Sequence, residues 1–246
     1  MLFRSLPVGY AYTREEGHRM GEHYDYVFDH FVRNQSEADR LNKIGYQSWG
    51  TMIPGDCVYK DLNRDGIIDD NDITAVGNPQ FPEIQFGIPM GFQYKNFDFS
   101  MLWQGSAICD QQLTSSAIYP FPLYDNDQFG KVKKIHLQRW TSETASTAKL
   151  PALHFGEDNI NKRDNSSLYV YNASYLRLKT VEIGYRIPQR WLSKYKIEQI
   201  RFYAQGMNLL TFDRMKNVDI DPESGNGWGG QYPILKVFNF GVELTL

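Results

Sequence analysis

Residues 86–103 read FGIPMGFQYKNFDFSMLW, and this stretch decides the fold. Apolar side chains take every second position on both sides of a short turn at Lys95-Asn96. They are Phe86, Ile88, Met90, Phe92 and Tyr94, then Phe97, Phe99, Met101 and Trp103. Successive side chains of a strand point to opposite faces, so this period predicts a hairpin of two strands. The runs suit a membrane-spanning strand of about 9–11 residues better than an average strand of about five or six.

Three more alternating runs follow, within 175–188, at 200–204 and at 237–246. They raise the expected number of strands to five or six. Between the runs, residues 106–167 and 212–231 are irregular and polar, which is typical of the long extracellular loops of membrane barrels. The fold class predicted is therefore all-β: a segment of an antiparallel transmembrane β-barrel with long extracellular loops. Residues 188–196 are expected to form a turn with helical character.

Composition narrows the function classes. The 246 residues carry a net charge of −3 and 15% aromatic residues, and the mean hydropathy is −0.50. This balance excludes a basic nucleic-acid binder and a disordered chain. The sequence contains no apolar run of about 18 residues, so a transmembrane helix is not expected. No catalytic motif is present, neither a nucleophile elbow, nor a zinc-protease helix, nor a phosphate-binding loop, so the chain is not expected to be an enzyme.

Residues 61–72 read DLNRDGIIDDND, with oxygen donors at the spacing of a calcium-binding loop. The candidate ligands are Asp61, Asn63, Asp65, the Ile67 carbonyl, Asp69 and Asp72. We expect Gly66 to permit the sharp turn and Ile68 to pack the loop onto its neighbour. The preceding residues 55–60 are strand-like, and Asp72 stands where an EF-hand has Glu, so an EF-hand is not expected. Two alternatives remain: a loop that binds Ca²⁺, and a loop of Asx turns without a metal.

The last residues, 239–246, read NFGVELTL. This pattern resembles the signal that the barrel-assembly machinery reads on the final strand of outer-membrane proteins. Its candidate residues are Asn239, Phe240, Gly241, Leu244 and Leu246. The physical basis is that an amphipathic strand with a free edge can be captured by strand addition.

Several short motifs occur in a fixed order along the chain. They are Pro54-Gly55-Asp56, YKDLN at 59–63, Gly77-Asn78-Pro79, NASYLRLK at 172–179, GYRIP at 184–188 and NLLT at 208–211. Together with the acidic loop and the hairpin, this series resembles the C-terminal part of SusC/RagA-like TonB-dependent outer-membrane transporters. The chain departs from that family in ending on Leu246 rather than on Phe, and in carrying Cys57 before the acidic loop.

The resemblance implies a barrel of about 22 strands in the outer membrane of a Gram-negative bacterium. It also implies an N-terminal plug that meets the TonB system, a SusD-like surface lipoprotein as partner, and import of oligosaccharides or peptides. Residues 1–84 would then form an extracellular loop region with the acidic loop, and residues 85–246 the last five to six strands with their loops. The chain shows no plug or signal peptide, so it is expected to be a fragment, a truncated product or a split gene.

The alternative function is a secreted, soluble, calcium-dependent glycan-binding β-sandwich. The loop aromatics Tyr119, Phe121, Tyr124, Trp140 and Trp228 could stack on sugars, although packing roles are favoured for them. Two local features complete the predictions. Cys57 and Cys109 have no metal-site or disulfide pattern and are expected to be free or buried. Residues 36–41 predict a short helix with Ser36 as its cap.

Overall fold

The computed structural model describes residues 17–114, 118, 132–153, 160–161, 165–195, 197–224, 232 and 234–246. The helices and strands of these residues are, in chain order, β1 His23–Tyr26, β2 Phe28–Phe31, α1 Gln35–Ile44, β3 Cys57–Tyr59, β4 Ile73–Val76, β5 Ile84–Tyr94, β6 Phe97–Ala107, β7 Asp110–Gln112, β8 Val170–Asn172, β9 Tyr175–Arg186, α2 Gln189–Leu192, β10 Gln199–Asp213 and β11 Val237–Thr245. In the described part of the chain, no helix is both long and apolar enough to cross a membrane.

The chain divides into two compact units. The sheet unit comprises residues 82–108, 173–214 and 232–246, and the core unit comprises residues 1–81, 109–172 and 215–231. Each unit is thus assembled from three separate segments of the chain, whereas the sequence analysis divides the chain once, after residue 84. Two insertions between strands of the sheet, residues 109–172 and 215–231, join the N-terminal segment in the core unit, which explains why the division is not contiguous.

The sheet unit contains one five-stranded antiparallel sheet in the order β11-β10-β9-β6-β5. β5 and β6 form the predicted hairpin, with Tyr94 opposite Phe97 and Ile84 opposite Ala107. The five alternating runs of the sequence are all strands of this sheet, as predicted. The strands of this sheet have 9 to 15 residues each, and β5, β6 and β10 extend beyond the runs that predicted them. Register shifts interrupt β9 opposite Leu102/Trp103 and β10 between Met207 and Leu210.

The buried apolar residues lie mainly in the core unit. One cluster joins α1 to its neighbours through Val32, Ala38, Leu41, Met52, Val58 and Ile160. A second cluster contains Tyr26, Cys57, Tyr59 and Ile68. The short strands pair as β1–β4, β2–β3 and β7–β8, and β1 to β4 contribute residues to these clusters or pack against them. Residues 17–81 therefore contribute strands, a helix and buried apolar clusters rather than irregular loop alone.

Helix α1 confirms the helix predicted near Ser36, but its cap was wrongly predicted. The N-cap is Asn34, whose side-chain oxygen accepts a hydrogen bond from the Glu37 N–H at 3.0 Å. Asn and Ser cap helices equally well, and Asn34 precedes the first helical residue whereas Ser36 lies inside the first turn. The helix ends at Gly45, which adopts a left-handed conformation (φ 64°) as C-terminal caps commonly do.

The connection between β9 and β10 has the helical character expected from residues 188–196. Helix α2 occupies Gln189–Leu192, and a 3₁₀ turn follows at Ser193–Tyr195. Pro188 directly precedes α2, where its fixed φ and missing N–H cost nothing. At the same end of the sheet, Asn96 of the β5–β6 turn exchanges two hydrogen bonds with Arg186, both 2.8 Å long. Both connections therefore lie at one end of the sheet.

Candidate functional site

One face of the five-stranded sheet is apolar and exposed. Its side chains, here called the apolar face, are Phe86, Ile88, Met90, Phe92, Tyr94, Phe97, Phe99, Met101, Trp103, Val181, Ile183, Tyr185, Phe202, Ala204, Phe238, Phe240, Val242 and Leu244. Phe240, at 81% exposure, is among the most exposed of them. The rings pack beside one another in the plane of the sheet, as Phe97 and Tyr185 do at 4.7 Å between centroids. An apolar surface this large on a folded chain marks a membrane or protein contact.

The opposite face is polar and carries a network of ion pairs. Arg201 of β10 is only 8% exposed. Its Nη2 lies 2.5 Å from Asp98 Oδ2 and 2.5 Å from Glu182 Oε1, and its Nη1 lies 3.3 Å from Glu243 Oε1. Arg186 adds a longer contact of 3.4 Å to Asp98. Arg201 thus binds carboxylates from three other strands of the sheet.

Gly184 allows this network to form. It lies on β9 between Asp98 of β6 and Tyr203 of β10, so the Asp98–Arg201 pair must pass over it. A Cβ at this position would stand 2.5 Å from both Arg201 Nη2 and Asp98 Oδ2. Any side chain at residue 184 would therefore displace the ion pair, which explains why glycine occupies a strand interior where it is otherwise unfavourable.

The predicted assembly residues of β11 lie on both faces of the sheet. Phe240 and Leu244 belong to the apolar face, and Leu246, just beyond the strand, is 81% exposed. Asn239 lies on the polar face and donates a 3.2 Å hydrogen bond to Gln205. Gly241 lies opposite Tyr203, whose ring occupies the space that a side chain at 241 would need. The strand is amphipathic, as the sequence predicts, and its reading by an assembly machinery stays a prediction.

Gly241→Ala tests whether this glycine serves packing. The added methyl group would collide with the Tyr203 ring. We therefore expect the free energy of unfolding of the full-length protein to fall by roughly 1–3 kcal/mol, and its unfolding temperature to fall with it. Tyr203→Ala in the same chain should restore most of the loss because it empties the contested space. If the double variant is as unstable as Gly241→Ala alone, measured as heat-dependent migration on a gel, the glycine acts by another route.

The acidic loop is organised by hydrogen bonds from its own backbone. Asp61 accepts from the N–H groups of Arg64 and Gly66, at 2.5 and 2.8 Å. Asp65 Oδ1 accepts from Ile67 N at 3.0 Å. Asn63 Oδ1 accepts from Asp65 N, and Asp69 Oδ1 from Asn71 N. Gly66 has φ 93°, so the sharp turn predicted there is confirmed.

Asp72 closes the loop. Its side chain is fully buried, and its two oxygens accept hydrogen bonds from Leu62 N at 2.7 Å and Asp69 N at 3.0 Å. Ile68 is 2% exposed and joins the cluster around Tyr59, which confirms that it packs the loop onto its neighbour. Within the described residues, no three acidic, His or Cys side chains are grouped so that they could hold a metal ion. Binding of calcium by this loop stays a prediction.

A buried carboxylate joins two distant strands of the core unit. Asp25 of β1 is fully buried and accepts a hydrogen bond from Gln112 Nε2 of β7 at 2.5 Å. Its second oxygen, Oδ2, has no hydrogen-bond partner among the described residues. Burial raises the pKa of Asp25 to about 6, although the bond from Gln112 and the nearby His23 oppose the shift. The unpaired oxygen makes the charged form of Asp25 unfavourable.

We expect the core unit to be less stable at neutral pH than at mildly acidic pH. The pKa of about 6 in the folded state exceeds the value of about 3.9 for an unfolded Asp. The folded state therefore binds the proton more tightly, so stability falls as pH rises from about 4 to about 6 and is constant above. Asp25→Asn should remove this dependence and slow hydrogen exchange of residues 23–26 at pH 7.5. Unchanged exchange in the variant would contradict the assignment.

The remaining predicted residues have structural positions. Cys57 and Cys109 are free and buried, as expected, and burial raises the pKa of the Cys57 thiol well above its usual value. Trp140 packs over Gly55 and donates its backbone N–H to Leu150 O. The other loop aromatics, Tyr119, Phe121, Tyr124 and Trp228, lie outside the described residues. The sequence analysis missed the network around Arg201, although Asp98, Glu182 and Glu243 each alternate with apolar neighbours.

Comparisons with known proteins identify relatives of this chain. No family model matches it. Two TonB-dependent receptors of Formosa agariphila are 29% and 25% identical to it over 79% and 93% of the chain. The TonB-dependent receptor SusC of Bacteroides thetaiotaomicron is 24% identical over 94% of the chain. The chain spans 20%, 22% and 23% of the lengths of these three curated relatives.

Solved structures share its fold. The RagAB peptide importer in its open-open state matches 91% of the chain with a TM-score of 0.63 at 20% sequence identity. The RagAB peptide transporter matches 92% of the chain with a TM-score of 0.65 at 20% identity. In both cases the chain covers less than a quarter of the matched protein, 22% and 23%. The mostly antiparallel β architecture is thereby confirmed.

Proposed function

We propose that this chain forms five adjacent strands of an outer-membrane transporter, together with the loops that join them. The resemblance to SusC/RagA-like TonB-dependent receptors and the relatives described above support this proposal. In this proposal the sheet is one part of the wall of a closed barrel of about 22 strands. The apolar face meets the lipid and the polar face meets the lumen. The core unit is built from the long connections between strands, which in such barrels are extracellular.

The exposed apolar face carries this proposal. A soluble protein would cover eighteen adjacent apolar positions with a second layer, because exposed apolar area on that scale is unfavourable in water. Along each strand, successive side chains point alternately to a continuous apolar surface and to a polar surface with ion pairs. The wall of a membrane barrel has this alternation. The strands of 9 to 15 residues are long enough to cross a bilayer, for which about 9–11 residues suffice.

The same observation disfavours a soluble glycan-binding β-sandwich. A sandwich packs the apolar faces of two sheets against each other, about 10 Å apart. The apolar face of this sheet is instead exposed along β5 and β11. We assign no enzymatic activity to the chain, since its curated relatives are named as receptors.

The partners and cargo follow from the relatives. We propose a SusD-like lipoprotein at the cell surface, an N-terminal plug that receives energy through TonB, and the barrel-assembly machinery as the factor that inserts the strands. The cargo class is oligosaccharides or peptides; the solved neighbours are described as a peptide importer. The wide loops of such transporters and the partner lipoprotein would share the selection of the cargo.

Membrane fractionation of the source cell tests this function. An antibody against residues 165–180 should detect, in outer membranes, a polypeptide several times the mass of this chain that changes mobility on heating. A tagged version should co-purify with a surface lipoprotein encoded beside it. A product found only in the soluble fraction, with no change of mobility on heating, would contradict the proposal.

We propose as a second, separate point that the loop at residues 61–72 binds Ca²⁺. The donors Asp61, Asn63, Asp65, Ile67, Asp69 and Asp72 have the required spacing, and the Gly66 turn is in place. Each hydrogen-bonded carboxylate oxygen keeps a second lone pair that can bind a cation. Bound calcium would hold the loop rigid and neutralise adjacent carboxylates.

Calorimetry of the full-length protein tests the calcium proposal. Wild type should release or absorb heat with CaCl₂ at micromolar to millimolar affinity, the range of ordinary calcium loops, roughly 10⁻⁶–10⁻³ M. Asp65→Ala should lose this heat, and Asp39→Ala, an exposed acid on α1, should keep it. An absent heat in wild type, or an equal heat in Asp65→Ala, would assign the loop to Asx turns without a metal.

A further inference from the structure

The turn end of the sheet unit, where the Lys95-Asn96 turn and the connection 187–198 lie together, carries an unusual set of side chains. Three exposed aromatic residues lie at this end: Tyr94, which is the last residue of β5, and Trp191 and Tyr195 of the connection. Amphipathic rings of this kind concentrate where a bilayer meets water, because one edge is apolar and the other can be hydrated. In the proposed barrel this end therefore lies at the level of the lipid headgroups.

Cations accompany these rings. Lys95 Nζ lies 5.2 Å from the centroid of the Tyr94 ring, and Arg190 Cζ lies 5.7 Å from the Trp191 ring. Lys194 follows one turn later and is also exposed. We name Lys95, Arg190 and Lys194, with Tyr94, Trp191 and Tyr195, the turn rim. A cation that lies over a ring keeps its charge, so Lys95 and Arg190 remain positively charged.

The acids of the sheet do not neutralise the turn rim. Among the described residues, none of its three cations has an acidic side chain within ion-pair distance. Asp98, Glu182 and Glu243 lie on the polar face and bind Arg201. Glu198 is an exposed acid in the same connection, which leaves a local excess of two positive charges over the described residues. This end of the sheet therefore attracts anions.

An apolar groove opens next to the turn rim. It has a volume of about 290 Å³ and is lined by Phe97, Ile183, Tyr185, Phe202 and Ala204 of the apolar face, with Gly184 and Tyr203 at its base. Ala204 and Gly184 are small, so the larger rings around them leave a depression. Its first residue, Phe97, directly follows the Lys95-Asn96 turn. The groove therefore begins two residues after Lys95, so an acyl chain in it would bring its headgroup to this end of the sheet.

We propose that the turn rim and this groove bind an anionic phospholipid of the membrane leaflet that faces the turns. The phosphate group lies among Lys95, Arg190 and Lys194, and an acyl chain lies in the groove beside Phe97 and Tyr185. This inference rests on the proposed function, because it requires the apolar face to meet lipid. It adds the chemical class of the lipid and the residues that select it.

Fluorescence quenching of Trp191 tests the proposal. The full-length protein is reconstituted in bilayers that contain brominated phosphatidylglycerol or brominated phosphatidylcholine, whose acyl chains quench nearby tryptophan. The signal of Trp191 is the difference between wild type and Trp191→Phe. We expect the anionic lipid to bind at this position about fivefold more strongly than the zwitterionic lipid.

The triple variant Lys95→Gln, Arg190→Gln, Lys194→Gln should bring this ratio close to one. A control with the same loss of charge, Arg40→Gln, Lys43→Gln, Lys149→Gln in the core unit, should keep it. Equal quenching by both lipids in wild type, or the same anionic-to-zwitterionic ratio in both triple variants, would overturn the headgroup site. Neither result would contradict the proposal that the strands span the membrane. Absence of Trp191 quenching by either lipid contradicts both the site and the proposed function.

Discussion

Replacing Arg201 with methionine should destabilise the full-length protein more than the loss of any other single side chain of the polar face. Arg201 binds Asp98, Glu182 and Glu243 at once. Removing it leaves the largely buried Asp98 and Glu182 close together and beside the half-exposed Glu243, and breaking a buried ion pair from one side costs about 3–5 kcal/mol. Because the side chains of Asp98 and Glu182 are still about one fifth exposed, we expect a loss below that range, about 2–3 kcal/mol. The measurement is the temperature of the heat-dependent mobility shift.

Two further variants separate charge from packing. Arg186→Met removes only one contact of 3.4 Å and should cost less than about 1 kcal/mol. Adding Asp98→Asn and Glu182→Gln to Arg201→Met should restore part of the lost stability, because the repelling carboxylates are gone. If Arg201→Met unfolds at the temperature of wild type, the network does not stabilise the sheet.

Arginine introduced on the two faces of β6 should have opposite consequences. Met101 belongs to the apolar face near the middle of the strand, and Ser100 belongs to the polar face beside it. An arginine in contact with the bilayer midplane costs about 2–4 kcal/mol in barrel strands, so Met101→Arg should reduce the amount of folded protein in the outer membrane. Ser100→Arg can point into water and form an ion pair with Glu182 opposite it, so its effect should be small.

Both variants are compared by heat-dependent mobility and by urea titration of folding into lipid vesicles. The two substitutions add the same side chain to adjacent residues, so differences in translation and export are matched. Equal losses for Met101→Arg and Ser100→Arg would contradict the assignment of the two faces.

The sequence predicted the strands because their period of two is a local property. Phe97, Phe99 and Met101 alternate with polar residues whatever the neighbouring strands do, and so the faces of each strand could be assigned in advance. The ion pairs could not be predicted in this way. Asp98 and Arg201 are 103 residues apart, and they meet only because the register places both of them beside Gly184. Nothing local indicates that register.

In the acidic loop, too, the local pattern predicted some features and missed others. Its donor spacing predicted the turn at Gly66, which depends on neighbouring residues alone, and the packing of Ile68 against the rest of the chain. The spacing did not show that Asp72 would accept hydrogen bonds from both ends of the loop. These two hydrogen bonds explain why residue 72 is Asp, because its short side chain reaches the backbone N–H groups of Leu62 and Asp69 together. The cap of α1 was misassigned for a simpler reason: Asn34 and Ser36 are both good caps two residues apart.

The core unit was the least predictable part. Its strands have only three or four residues each, too few for a period to be recognised. Its central contacts join distant segments, as the hydrogen bond of Asp25 to Gln112 does across 87 residues. Such contacts arise from tertiary packing and have no signature in either segment.

The central claim is that the apolar face of the sheet meets lipid, and spin labels along residues 97–103 test it most directly. Cys57 and Cys109 are replaced by Ala, single cysteines are introduced and labelled, and the full-length protein is reconstituted in bilayers. Labels at 97, 99, 101 and 103 should collide with lipid-soluble oxygen, and labels at 98, 100 and 102 with a water-soluble nickel complex. This alternation with a period of two is the result that we expect. Access of the nickel complex to every position would contradict the claim.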